Sequence, residues 1–372
     1  MNQLNENLIE TEYKYSHGEI NTPFQLVREM LSLFPGEFLS NPNNRWLDPG
    51  CGQGNISWVL YETLLTHLAD AGISDLQDHI LTNMMYMVEI NEVREIDIRI
   101  RFPHALPNLT IGDYNDYLPI NAKTGEIIAP DAIICNPPFN FAGSIKTPTN
   151  TVNNKKDDGF SAWEGFVRHS LNILRPDGYM CFIIPTIWLK PDKAGMYDLL
   201  MKWDIVKMHV LSTAETNQMF KGQAQTPTTF FLLRKREIKQ QKIEMFCYKE
   251  QRYFNYQVFK NRPIPMCNPM LINKLMYYVN SAGHINVIKT NMPPKNAVFS
   301  PFPTKQCRYK NIKTVLASKK THGPNIFKVN NKYYGERVVN WSDIPCVGYG
   351  TPKIIMAHKM YGMPFLDISG EY

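Results

Sequence analysis

Residues Asp131–Asn140 read DAIICNPPFN, and the tetrad Asn136-Pro137-Pro138-Phe139 gathers groups that could act together on one ligand. The apolar run Ala132–Cys135 before it predicts a strand. Two consecutive prolines neither continue a helix nor donate to a sheet ladder, so the strand must stop there. A carboxamide, exposed carbonyls and an aromatic ring are then left at the carboxyl end of a strand, where open α/β sheets bind ligands. Such a group suits a planar ring that carries an exocyclic NH2. The Asn136 oxygen and the Pro137 carbonyl can each accept one N–H of the amine, and Phe139 can stack on the ring. An ordinary strand-ending turn is the plainer reading of the same four residues.

A second motif lies upstream. Residues Arg45–Asn55 read RWLDPGCGQGN, with glycines at 50, 52 and 54. A short strand, Trp46-Leu47, runs into a glycine-rich turn, and Ile56–Leu68 then has helical character. Glycine permits positive φ and close backbone approach to a ligand. A helix start after Asn55 favours an anionic group such as a carboxylate. Alone, a G-x-G-x-G leaves phosphate and dinucleotide binding open. The phosphate-loop pattern G-x-x-x-x-G-K-[ST] is absent, and the third glycine of a dinucleotide fingerprint would fall on Ser57.

Together the two motifs resemble the S-adenosylmethionine-dependent amino-methyltransferases, specifically the DNA adenine-N6 methyltransferases. DPGCGQG is similar to their cofactor loop and NPPF to their catalytic motif. Residues Gly18–Leu33, GEINTPFQLVREMLSL, resemble a further cofactor element in which a T-P-x-x-L-V-x-x-M helix closes over the methionine end. Its position ahead of the cofactor loop, with the catalytic motif after it, resembles the gamma-like motif order with a C-terminal target-recognition domain. The resemblance covers about residues 15–235. It implies an α/β fold with a Rossmann-like seven-stranded sheet, the final strand antiparallel, followed by a smaller C-terminal α+β domain. It implies S-adenosyl-L-methionine as cofactor, no metal, and direct methyl transfer to an amine of a base flipped out of double-stranded DNA. A cognate restriction endonuclease is the implied partner, and a monomer is expected.

The resemblance also distributes roles. Asn136, Pro137, Pro138 and Phe139 would be catalytic. Thr22, Pro23 and Phe24 would meet the methionine end, and Asp48, Pro49, Gly50, Cys51, Gly52 and Gly54 would form the cofactor loop. Asp48 would orient that loop or the cofactor's amino group, with helix capping as the alternative. Glu89 would accept from the ribose hydroxyls beside Ile90. Asp113 would accept from the cofactor's adenine amine beside Tyr114, with a plain turn role as the alternative. Glu89 stands 41 residues after Asp48, against about 20 in the dinucleotide analogue, so an inserted helical element over Ser74–Asn83 is expected. Glu92 and Glu95 are the rivals for this place.

The elements that must carry these residues are legible in order. Helices are expected over Thr22–Leu33, Ile56–Leu68, Ala162–Leu174 and Ala194–Trp203. Strands are expected at Trp46–Asp48, Met84–Ile90, Leu109–Ile111, Ala132–Cys135, Tyr179–Ile184, Ile205–Leu211 and Pro227–Leu233. Strands alternating with helices argue for an open α/β sheet. The polar segment Asn140–Gly159, which includes Lys146, is expected to order over bound nucleic acid, and a tolerated surface insertion is its alternative.

Charge divides the chain. Residues 1–235 hold 19 Lys+Arg against 27 Asp+Glu, a net of −8, and residues 236–372 hold 21 against 7, a net of +14. A basic surplus with 19 of the 44 aromatic residues in the same segment points to a polyanionic partner there. The expected organisation is therefore a catalytic domain over 1–235 and a basic target-recognition domain over 236–372. The charged run 236–244 would mark the boundary. Within the second part, the loop Lys310–Asn325, with Lys310, Lys313, Lys319 and Lys320, is the expected DNA contact. Residues Pro352–Tyr372 read more as the interior of such a domain than as an ending, so the chain is expected to be a piece of a longer one or to stop unusually early.

Other classes fit less well. No run of about 18 apolar residues is present, so no membrane span is expected. Seven cysteines without a C-x-x-C pair fit reduced thiols in a cytoplasmic protein better than disulfides or zinc. Cytosine-C5 methylation needs a nucleophilic cysteine, and the sole Pro-Cys pair, Pro345-Cys346, is remote from both motifs. Two further readings stay open: an RNA amino-methyltransferase acting on guanine N2 or adenine N6, and a non-catalytic DNA-binding subunit that keeps the fold.

Overall fold

The computed structural model describes residues 20–102, 105–139, 161–191, 194–259, 262–266, 274, 277, 296–316, 327–329, 332–355 and 365–369. It divides into two compact units, Met1–Ser281 and Ala282–Tyr372. The loop 140–159, with Lys146, lies outside the described residues, as do Lys319 and Lys320.

The first unit is built on one sheet. Its helices are α1 (Phe24–Leu31), α2 (Gly36–Leu39), α3 (Asn55–His67), α4 (Leu76–His79), α5 (Arg94–Arg101), α6 (Ala162–Ile173), α7 (Met196–Leu200) and α8 (Thr213–Met219). Its strands are β1 (Trp46–Asp48), β2 (Met85–Glu89), β3 (Leu109–Ile111), β4 (Ala132–Cys135), β5 (Tyr179–Pro185), β6 (Trp203–Leu211), β7 (Thr228–Glu237), β8 (Lys242–Cys247) and β9 (Arg252–Gln257). They lie in the order β3-β2-β1-β4-β5-β7-β6-β8-β9. Strands β1 to β5 pair in parallel, and β7 runs antiparallel to both β5 and β6.

Chain order reverses between β1 and β4. From β1 the chain steps outward to β2 and β3, then returns to β4 on the other side of β1. That reversal opens a crevice at the carboxyl ends of the two strands, where α/β sheets hold ligands. Strands β1, β2 and β4 are buried at every position, which is why they read as unbroken apolar runs. Trp46, Met85, Met87 and Ile134 face a core completed by Met30 of α1 and by Val59, Leu60 and Leu64 of α3. Leu47, Tyr86, Val88 and Ile133 face the opposite core, with Val167 and Leu171 of α6 and Leu200 of α7.

The seven expected strands are present, and two more extend the sheet. Strand β8 pairs in parallel with β6, and β9 pairs antiparallel with β8. The sheet thus has nine strands, and the boundary expected after residue 235 falls inside it. The charged run that suggested a linker is the end of β7 and the start of β8. Lys242 and Glu244 are exposed while Ile243, Met245 and Cys247 are buried, an alternation that marks a strand with one face in the core. Further on, the Ile264 amide donates to the Leu189 carbonyl (2.7 Å) and the Tyr197 hydroxyl to the Arg262 carbonyl (2.7 Å).

In the second unit, strands β10 (Phe299–Ser300), β11 (Tyr309–Leu316), β12 (Phe327–Val329) and β13 (Lys332–Ser342) form an antiparallel sheet. A separate pair joins β14 (Lys353–Ile355) to β15 (Phe365–Asp367). The described residues of this unit are strands and connections without a helix, so the α of the expected α+β domain is not seen among them. Lys310 and Lys313 lie on β11 rather than in a loop, because Ile312, Thr314 and Val315 carry it into the ladder with β13.

A fragment ending at residue 235 loses Ile243, Met245 and Tyr256, all buried in the first unit. It should aggregate, or unfold at lower denaturant than a fragment of residues 1–281. Circular dichroism and urea midpoints of the two fragments check this.

Candidate active site

Both motifs occupy the crevice. The glycine turn follows β1 and the tetrad follows β4, its neighbour in the sheet. The Cys51 amide donates to the Val88 carbonyl at the end of β2 (3.0 Å), and the Gly54 amide donates to the Cys51 carbonyl (2.7 Å). Gly52 and Gly54 have φ of +55° and +80°, conformations that a side chain would strain. Gly54 in that state is the residue from which α3 starts.

Two carboxylates bracket the turn. Glu89 accepts from the Gly52 amide (2.7 Å) through one oxygen and from the Asn91 amide (2.9 Å) through the other. It therefore holds the loop from the end of β2. Of its rivals, Glu95 is tied to Arg99 in an ion pair (2.8 Å) and Glu92 is exposed. The spacing of 41 residues is filled by α3, α4 and one π-helical turn over Ile80–Met84. Asp48 is buried, and one of its oxygens accepts from the Ser57 hydroxyl (2.7 Å) while the other has no hydrogen-bond partner. Burial pushes the Asp48 carboxyl up to about 7; the Ser57 hydrogen bond opposes the rise and the charge of Glu89 adds to it.

The segment ahead of α1 is drawn into the same place. The Asn136 side-chain nitrogen donates to the Thr22 hydroxyl (3.0 Å) and to the Ile20 carbonyl (3.4 Å). Asn55, the first residue of α3, donates to the Thr22 carbonyl (3.0 Å) and accepts from Arg101 of α5 (2.6 Å). The Arg101 guanidinium also lies 5.7 Å from the centre of the Phe24 ring. Asn21 donates to the Gln53 side chain (3.0 Å). Helix α1 starts at Phe24, two residues later than Thr22, with Pro23 extended at its N-cap.

The structure thus brings Thr22, Asp48, the glycine turn, Glu89 and Asn136 into one linked group, with Pro23, Pro49 and Cys51 in the same segments. Pro137 is buried, and Pro138 and Phe139 are half-buried. Ile90, next to Glu89, is an exposed apolar residue. Asp113 is exposed at the end of β3, where it accepts from both the amide and the side chain of Asn115 (2.8 and 2.9 Å). Tyr114 is buried, its hydroxyl paired with Ser170 (2.8 Å) and its ring packed on Phe166 (5.0 Å).

Four participants escape a sequence reading. Ser57, Asn55 and Arg101 are polar residues whose partners lie on other elements. Phe166 of α6 lies so close to the loop that a Cβ on Gly50 would meet its ring edge at 3.4 Å. The i, i+4 spacing of Phe166 and Ser170, both turned toward Tyr114, was the one available signal.

Burial raises the Cys51 and Cys135 thiols well above the ordinary range, which disfavours the thiolate that a nucleophile needs; in the second unit burial also raises Cys346. Among the described residues no group of His, Cys, Asp or Glu could hold a metal ion, and no helix is long and apolar enough to cross a membrane.

Residues 59–220 match the family described as Eco57I restriction-modification methylase. That span includes the tetrad and begins after the glycine turn. Among solved structures, a nuclease-deletion mutant of the Type ISP restriction-modification enzyme LlaGI, in complex with a DNA substrate mimic, is similar at 15% identity. Its TM-score is 0.50, over 72% of this chain and 33% of that one. The DrdV–DNA complex is similar at 14% identity and TM-score 0.48, over 66% and 31%. The type I restriction-modification methyltransferase subunit from Streptococcus thermophilus is similar at 18% and 0.43, over 76% and 57%. The chain therefore spans from about a third to just over half of these proteins. At such identities the likeness to LlaGI shows a shared fold and no more. No curated protein matches the chain in sequence.

Because the folded Asp48 binds its proton more tightly than the unfolded chain does, its ionisation costs stability as pH rises from about 4 to about 7. Asp48→Asn should raise the melting temperature at pH 8 by at least about 2 °C, and the gain should shrink toward pH 5. Thermal scans of both proteins across this range check it.

Proposed function

We propose that this chain is an S-adenosylmethionine-dependent DNA methyltransferase that modifies the N6 amine of adenine. The observation that carries the reading is the state of the Asn136 carboxamide. Its nitrogen is spent on Thr22 and Ile20, and no donor among the described residues reaches its oxygen. Nor does any described backbone amide donate to the Pro137 carbonyl. Adjacent residues thus carry two acceptors with no donor among the described residues, and two acceptors are what an NH2 with two hydrogens to donate requires.

The residues present fit the cofactor. Glu89 offers carboxylate oxygens to ribose hydroxyls, Ile90 an apolar face to the adenine ring, and Asp113 an acceptor for its amine. The oxygen of Asp48 without a hydrogen-bond partner could accept from the cofactor's ammonium group. When bound, S-adenosylmethionine supplies a methyl group activated on a sulfonium sulfur.

The protein's own part is to aim and polarise the amine. An aryl amine delocalises its lone pair into the ring and is a poor nucleophile. With Asn136 and Pro137 accepting its two N–H bonds, electron density shifts toward nitrogen and the lone pair points away from the ring. Methyl transfer to that nitrogen would leave positive charge on it, which the two acceptors would stabilise until a proton was lost to solvent. Flipping the base costs a few kcal/mol, and stacking on Phe139 returns about 1–3 kcal/mol.

DNA is the favoured substrate because the basic excess falls on residues 236–372, with Lys310 and Lys313 on β11 of the second unit. The match to restriction-modification proteins supports the same choice, and with it a cognate endonuclease as partner. An RNA amine is the second reading, favoured only by the aromatic richness of the basic part.

Incubating the protein with labelled donor and a mixture of DNA and RNA, then digesting to nucleosides, should give N6-methyladenine in DNA by mass spectrometry. Label in RNA, or none, overturns the reading. Asn136→Ala should lower kcat at least about 100-fold while leaving the cofactor Kd within about twofold by calorimetry.

A further inference from the structure

We propose that residues Ile20–Thr22 form an orienting clamp for the catalytic amide, with Thr22 as a positioning residue. The inference rests on the proposed function. A carboxamide has nearly the same shape when its oxygen and nitrogen are exchanged. Only one orientation can serve an incoming NH2, because the other sets two donors face to face.

The Ile20 carbonyl can only accept, so the Asn136 nitrogen must face it. The Thr22 hydroxyl takes the shorter of the two bonds, at 3.0 Å. Thr22 is 5% exposed, so water does not readily replace that acceptor. With the nitrogen held from this side, the oxygen is turned the other way.

The clamp is fastened to the cofactor loop rather than to the sheet. Asn55, which opens the helix after the glycine turn, holds the Thr22 carbonyl, and Arg101 in turn holds Asn55. Asn21 is joined to Gln53 inside the turn. Displacement of the turn is thereby passed to the amide through three side chains, so the loop and the acceptor pair are positioned together.

Thr22→Val keeps the side-chain shape and removes the acceptor. Its kcat at saturating cofactor should fall about tenfold, with the KM for DNA within about twofold of wild type. Thr22→Ser should recover most of the rate. A readout independent of turnover is the pair of side-chain amide proton signals of Asn136 in the donor-free protein, assigned by their loss in Asn136→Ala. In Thr22→Val these protons should shift and exchange faster with solvent; in Thr22→Ser they should stay close to wild type. Unmoved amide signals in Thr22→Val overturn the clamp, as does a raised cofactor Kd with unchanged kcat. If the amide signals respond as described while wild type methylates no nucleic acid, the proposed function falls and the clamp stands.

Discussion

Pro137 and Pro138 have no amide hydrogen to give a neighbouring strand, so the backbone leaves the sheet where β1 and β4 diverge. Everything else in the site is arranged around that forced exit. In register, Asp48 pairs with Met87, two residues before Glu89, and Leu47 pairs with Ile133, three before Asn136, so the carboxyl ends of β1, β2 and β4 set these side chains around one crevice. Their backs are sealed by two apolar cores, so polar groups there must find partners within the site or wait for a ligand. Glu89 and the nitrogen of Asn136 have found theirs, whereas one oxygen of Asp48 has none.

The N-terminal segment supplies what the sheet alone lacks. A strand tip positions Asn136 in space and does not decide which end of its amide faces the crevice. That decision comes from a residue pair more than a hundred positions earlier in the chain. The glycine turn is held in a similar way, by a carboxylate reaching across from β2. Catalytic geometry of this kind is a property of contacts between segments, each ordinary by itself.

Much of this was legible before any coordinates. The strands Trp46–Asp48 and Ala132–Cys135 were readable to the residue, because buried parallel strands leave short apolar runs closed by turn formers. The glycine turn and the tetrad were visible because few sequences stop a strand so abruptly. What stayed hidden depended on three dimensions. Strand β8 carries alternating charges, and its composition masked its period. Residues 310–316 looked like part of a basic loop since four lysines and two asparagines in the longer stretch 310–325 outweighed its β-branched residues. Asn55, Ser57 and Arg101 announce nothing alone, and their roles appear only when α3, α5 and the segment before α1 meet.

The two strands that continue the sheet past β6 also change what its rim presents to other molecules. Within the described sheet, the outermost strands are β3, with three residues, and β9, with six. Strand β9 opens with Arg252, whose guanidinium lies over the Phe254 ring at 4.6 Å, and its partner β8 exposes Lys242 and Glu244. A foreign strand adding to this margin would have to bury or displace charges to gain only a few ladder bonds. The long apolar strands that make up the interior are thus shielded from templating fibrous self-association, a protection that a sheet ending at β6 would not have.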